Sequence, residues 1–150
     1  MRVLILFPVA LMLASSVVAA QVRGDPDLIQ RMMADTGLRV TQLADNKGDP
    51  MLESRIDDVL FRVHFFDCQA TCAAMQFSAG FQLDAPLPIE MANLWNRERR
   101  FGRVYLDRDG DPFIEMDIGL TGEGIGRRNF KDALDIWRVL LNDFRDFIDW

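Results

Sequence analysis

Two alternating runs, Val59 to Phe66 and Ala73 to Phe81, constrain this chain more than anything else in it. Side chains on a strand point alternately to opposite faces, so a period of two places Val59, Phe61, Val63 and Phe65 together. Arg62 and His64 share the other face with Leu60 and Phe66. The second run matches it, with Ala73, Met75, Phe77, Ala79 and Phe81 on one face and Gln76 and Ser78 opposite. Only a short segment separates the runs, so the pattern predicts an antiparallel hairpin at the centre of a sheet with one buried face.

The remaining elements follow from local chemistry. Asp25-Pro26 opens a helix, with Asp as cap and Pro at the first helical position, and Gly37 closes it. Strands are predicted over Leu38–Leu43 and Met51–Ile56, joined by Asp45-Asn46-Lys47-Gly48-Asp49-Pro50, with a tight break at Asp57-Asp58. Pro86-Leu87-Pro88 starts a second helix with Leu87, Met91, Leu94 and Trp95 on its apolar stripe. Strands Arg103–Leu106 and Phe113–Leu120 flank the turn Asp107-Arg108-Asp109-Gly110-Asp111-Pro112. Three glycines mark Thr121–Gly126 as a mobile loop. A last helix, capped by Asn129, carries Phe130, Ala133, Leu134, Trp137, Leu140, Leu141, Phe144, Phe147 and Ile148 at helical spacing. The order is α-β-β-β-β-α-β-β-α, an α+β fold with helices packed on an antiparallel sheet. Gly48-Asp49-Pro50 and Gly110-Asp111-Pro112 echo one another as the turns of two helix-strand-turn-strand units.

The N-terminus reads as a secretory signal: Arg2, an apolar tract from Val3 to Leu13, and Val18-Ala19-Ala20 before a cleavage at Ala20-Gln21. An uncleaved anchor competes, because Val3 to Ala20 approaches the ~18 residues that can span a bilayer. Pro8, Ser15, Ser16 and the lack of basic stop-transfer residues favour cleavage. The expectation is residues 1–20 as signal and 21–150 as one domain in the periplasm or the medium, with the membrane met only through the signal segment if it is uncleaved. Loss of Arg2 leaves 16 basic and 23 acidic residues. That balance argues against nucleic acid, whose phosphates demand clustered Lys and Arg.

Candidate sites are few. Cys68 and Cys72 flank the hairpin turn, and in an oxidising compartment they form a clip, with a thiol redox pair or free thiols as alternatives. Their Cys-x3-Cys spacing does not suit the thioredoxin motif. The basic cluster Arg97, Arg99, Arg100 and Arg103 is the candidate partner-binding surface, because guanidinium forks suit carboxylates and phosphates. Asp107, Asp109 and Asp111 alternate as calcium ligands can, yet neither Gly110 nor Ile118 fits the calcium-loop positions, and a solvated turn is the simpler reading. His64 is the single histidine and has no partners at metal or triad spacing. Trp95, Trp137 and Trp150 are packing residues. No cofactor is implied.

Several motifs together resemble the YbjN family, whose members are described as bacterial sensory transduction regulators. They are Gly48-Asp49-Pro50, Phe65-Phe66-Asp67-Cys68, Met75 to Phe81, Asn93-x-Trp95-Asn96, Phe101-Gly102-Arg103-x-Tyr105-Leu106-Asp107 and Asp109-Gly110-Asp111-Pro112. The similarity runs from about Leu38 to Phe147. It implies a fold like that of type III secretion chaperones, which act by binding polypeptides, and it brings no catalytic residues. The expected function is therefore an exported, non-enzymatic module for a protein or peptide partner, often with a homodimer. A small redox protein or enzyme using Cys68 and Cys72 is the alternative.

Overall fold

A computed structural model describes residues 21–150; the expected signal segment lies outside the described residues. The elements are β1 (Gln21–Val22), α1 (Pro26–Ala34), β2 (Thr41–Ala44), β3 (Pro50–Ile56), β4 (Val59–Cys68), β5 (Cys72–Gly80), α2 (Ile89–Glu98), β6 (Arg103–Leu106), β7 (Pro112–Gly119), β8 (Ile125–Gly126) and α3 (Arg127–Phe147). Six strands form one antiparallel sheet in the order β2-β3-β4-β5-β7-β6, and β1 pairs separately with β8. The α+β class and the order of the long elements are as the sequence implies.

The alternation of β4 and β5 becomes the covered face. Register sets Val63 opposite Phe77 and Phe65 opposite Met75, while Phe77 faces Met116 on β7. All of them are buried. The helices supply the second layer. Trp137 of α3 stacks on Phe77 at 5.5 Å and meets Phe61 edge-on at 6.0 Å. Phe144 meets Phe81 at 5.3 Å and Trp95 of α2 at 4.9 Å, so one aromatic cluster joins both helices to the sheet. Trp150 is half-exposed but still packs edge-on against Phe81 at 5.2 Å.

The two Gly-Asp-Pro turns share one geometry. Asp45 Oδ1 accepts from the amides of Lys47 (2.7 Å) and Asp49 (2.9 Å). Asp107 Oδ1 accepts from those of Asp109 and Asp111, each at 2.9 Å. Gly48 (φ +87°) and Gly110 (φ +84°) take the left-handed position that a three-residue hairpin loop requires. Asp57 and Asp58 both have positive φ, which makes the β3–β4 link a tight two-residue turn.

Four expectations change. Strand β2 begins at Thr41 rather than Leu38, because the carbonyls of Arg39 and Val40 are taken by Ser54 Oγ (2.8 Å) and Gln30 Nε2 (3.1 Å). Helix α2 starts only at Ile89, so Leu87 is buried ahead of it, and Ala92 and Trp95 form its buried stripe. Helix α3 starts at Arg127 with Gly126 at its cap and not at Asn129, because β8 feeds straight into it. Part of Thr121–Gly126 is held by strand pairing, Val22 to Ile125 and Gln21 to Gly126.

Candidate functional site

The uncovered face of the sheet carries a polar row that crosses all six strands. Thr41, Glu53, Arg62, Ser78, Glu115 and Arg103 lie side by side in register. Opposite charges meet in it: Arg62 Nε donates to Glu53 Oε2 (3.1 Å), and Arg103 donates from Nε (3.1 Å) and Nη2 (2.8 Å) to Glu115 Oε2. Glu115 is buried there despite its charge, and the ion pair holds the Arg103 pKa above its usual value. Gln76, on the face opposite the apolar one, is buried as well. Its amide donates to Asp117 Oδ1 at 2.7 Å, which satisfies one of its polar groups.

Small side chains open a hollow in this face. Ser78 and Gly80 form its floor, and Leu60, Arg62 and His64 wall one side against Tyr105, Phe113 and Glu115 on the other, enclosing about 520 Å³. A Cβ on Gly80 would come within 2.6 Å of the Phe113 ring, which stacks on Tyr105 at 5.3 Å. His64 is half-buried; burial, followed by the neighbouring Arg62 charge, lowers its pKa. Burial, followed by the Glu115 charge, raises that of Tyr105.

The candidate arginines do not form one surface. Arg103 belongs to the sheet face just described. Arg97 is exposed and its nearest carboxylate partner is the adjacent Glu98 at 3.5 Å. Arg99 lies over the Trp95 ring at 5.5 Å from its centroid. Arg99 and Arg100 line a second depression, between the α2–β6 loop and α3, with Phe101, Ile136, Val139 and Leu140 as its apolar part and Asp135 and Asp143 beside it. Phe101 is 69% exposed and Val139 57%, and Phe101 has φ +68°. A bulky side chain in the left-handed region is uncommon and costs about 1–2 kcal/mol. Sequence reasoning missed both residues as site residues. Val139 left a trace, since it is an apolar residue off the α3 core stripe.

Cys68 and Cys72 form a disulfide between directly opposed positions of β4 and β5. The Cys72 amide donates to Gly24 O at 2.7 Å, so the same hairpin end holds the N-terminal segment. A Cβ on Gly24 would run into the Cys72 carbonyl, which leaves room only for glycine. In the Asp107 turn, Asp107 Oδ1 already serves two amides and Asp111 Oδ1 accepts from the Leu83 amide at 2.9 Å. These carboxylates work as parts of the turn. Among the described residues no group of His, Cys, Asp and Glu has the arrangement of a metal site.

The signature positions now have physical roles. Trp95 Nε1 donates to Gly102 O (3.2 Å), and Asn96 binds both polar groups of Val104: the Val104 amide donates to Asn96 Oδ1 (2.7 Å) while Asn96 Nδ2 donates to Val104 O (2.9 Å). The YbjN family model, described as "Putative bacterial sensory transduction regulator", matches residues 25–150. The chain belongs to the YbjN family. The match takes in α1 as well as the region from Leu38 onward. Neither a curated protein nor a solved structure matched the chain. No helix among the described residues of this YbjN protein is long and apolar enough to cross a membrane.

Proposed function

We propose that this YbjN-family chain is an exported binding module that acts in regulation by holding a polypeptide, in the periplasm or the medium, without transforming a substrate. The family description supports a regulatory role, and a disulfide suits an oxidising compartment. One observation carries the choice of surface: Phe101 stands exposed on a left-handed backbone beside exposed Val139. The backbone strain opposes stability and the exposed ring adds no burial to offset it, so selection for folding alone does not explain them. The groove they form has an apolar centre with arginine and aspartate rims. It fits a segment that presents an apolar anchor between an acidic and a basic side chain, as in the pocket-centred anchors of other interfaces.

The test is a photo-crosslinking residue at Val139 in the full-length exported protein, with the same residue at Asn46 as control. A discrete polypeptide adduct is expected at 139, absent at 46, and lost in Phe101→Asp. Aspartate tolerates the left-handed region better than phenylalanine, so this variant should melt no lower than wild type. Equal adducts at both positions, no adduct at 139, or adducts that survive Phe101→Asp contradict the reading.

A further inference from the structure

The two outer edges of the sheet are finished differently. On β6, the outward-pointing N–H and C=O of Val104 are both satisfied by the Asn96 amide, which stands in for a neighbouring strand. Only Leu106, the last residue before the turn, also points its backbone outward there.

Among the described residues, strand β2 has no such cover. In its hairpin the Asp45 amide donates to Asp49 O (2.8 Å), so Ala44–Pro50 is a non-hydrogen-bonded pair and Leu43–Met51 a bonded one. Thr41 and Leu43 therefore bond inward to β3, while Gln42 and Ala44 point their N–H and C=O groups outward. Among the described residues nothing accepts from or donates to them. All four residues of β2 are exposed, and the strand, though short, contains no proline, lysine or other charge.

We infer that the β2 edge is a docking site for a second copy of this chain, joined antiparallel through β2 of each copy. One register uses every outward group of both strands. Gln42 of one copy exchanges N–H···O bonds with Ala44 of the other, and the reverse, which puts the two Leu43 side chains across the symmetry axis. Leu43 is 40% exposed and lies on the same face as its neighbour Met51, so the pairing covers the apolar side chain that β2 exposes. Thr41 then falls opposite Asp45, and no like charges meet within the strand. A second copy suits the edge better than a foreign peptide because β2 is already an ordered strand, so pairing needs no ordering of loose chain. The joined sheet would run continuously through both copies. This inference is independent of the Phe101 groove, which lies at the other end of the sheet order.

Across the new pair Leu43 faces Leu43 in a non-hydrogen-bonded position, where Cα atoms approach to about 4.5 Å and cysteines can be joined. The test uses the exported, disulfide-bonded protein. Sedimentation should show its mass doubling as concentration rises through the micromolar range. Leu43→Cys should give a covalent dimer on mild oxidation, and Thr41→Cys at least tenfold less. Leu43→Asp, which sets two carboxylates on the axis, should stay monomeric with an unchanged melting temperature at low concentration. A wild-type chain that remains monomeric, a dimer that survives Leu43→Asp, or equal crosslinking at 41 and 43 would overturn the proposal.

Discussion

The sheet is bounded by two copies of one design, and they differ where it matters. At one end α1, β2, a Gly-Asp-Pro turn and β3 follow in order; at the other, α2, β6, the same turn and β7 do so. The turns match bond for bond. In the α2 unit the helix sends Asn96 to close the strand edge, and the turn is tied inward: the Leu87 amide donates to Gly110 O at 3.0 Å. In the α1 unit the corresponding helix sends Gln30 only as far as Val40 O, ahead of the strand, and the turn stands clear of neighbours. Among the described residues, one unit is built into the body of the protein and the other is left with a free edge. Local sequence repeats can thus share a conformation while tertiary contacts give them different jobs.

The largest expected contrast lies in the turns. A Cβ on Gly110 meets Pro86 Cβ at 2.5 Å, whereas one on Gly48 meets nothing within 4 Å. Gly48→Ala should lose about 1 kcal/mol for its left-handed backbone alone, and Gly110→Ala about 2–3 kcal/mol once crowding adds to it. Equal losses in denaturant unfolding would erase the comparison. Next comes the closed edge. Asn96→Ala leaves both polar groups of buried Val104 unpaired and should cost about 2 kcal/mol, while Asn96→Asp retains the acceptor and should cost less.

The open edge should respond in the opposite way. Gln42→Pro removes an outward N–H that the single chain does not use, so its stability should change by less than about 1 kcal/mol. The same variant should weaken self-association in sedimentation. The smallest effect concerns His64 in the hollow. Its pKa is lowered in the folded protein, so the unfolded chain takes up the proton first. Stability should be greatest above the ordinary histidine pKa of 6.5, decline as pH falls below it, and level off under the folded value. His64→Gln should flatten that part of the pH–stability curve, and a slope that persists unchanged would assign it to other groups.

Much of the fold was legible in the sequence because the central hairpin carries its own burial pattern. Val59 to Phe65 alternates in burial as in sequence, Ala73 to Phe81 alternates in sequence, and Asp25-Pro26 and the Gly-Asp-Pro turns are local devices with local signatures. What depended on distant partners was not legible. Nothing in Gln21-Val22 or Ile125-Gly126 announces that the two segments pair, although Val22 is fully buried by it. The burial of Gln76 and Glu115, polar residues opposite the apolar faces of their strands, depends on cross-strand neighbours such as Asp117 and Arg103. The candidate arginines are close in sequence, but strand β6 turns Arg103 to the sheet face while Arg99 and Arg100 stay beside α3. The exposure of Phe101 and the bond from Asn96 to Val104 both arise from how α2 meets β6, which no single segment encodes.

Amide hydrogen exchange, read residue by residue and at two protein concentrations, tests the contrast between the edges most directly. The Val104 amide should be protected at both concentrations, because its acceptor is Asn96 within the same chain. The Gln42 and Ala44 amides should exchange freely in dilute protein and become protected as concentration rises, while those of Thr41 and Leu43 stay protected throughout. Free exchange at Gln42 and Ala44 under both conditions, or free exchange at Val104, would contradict the account.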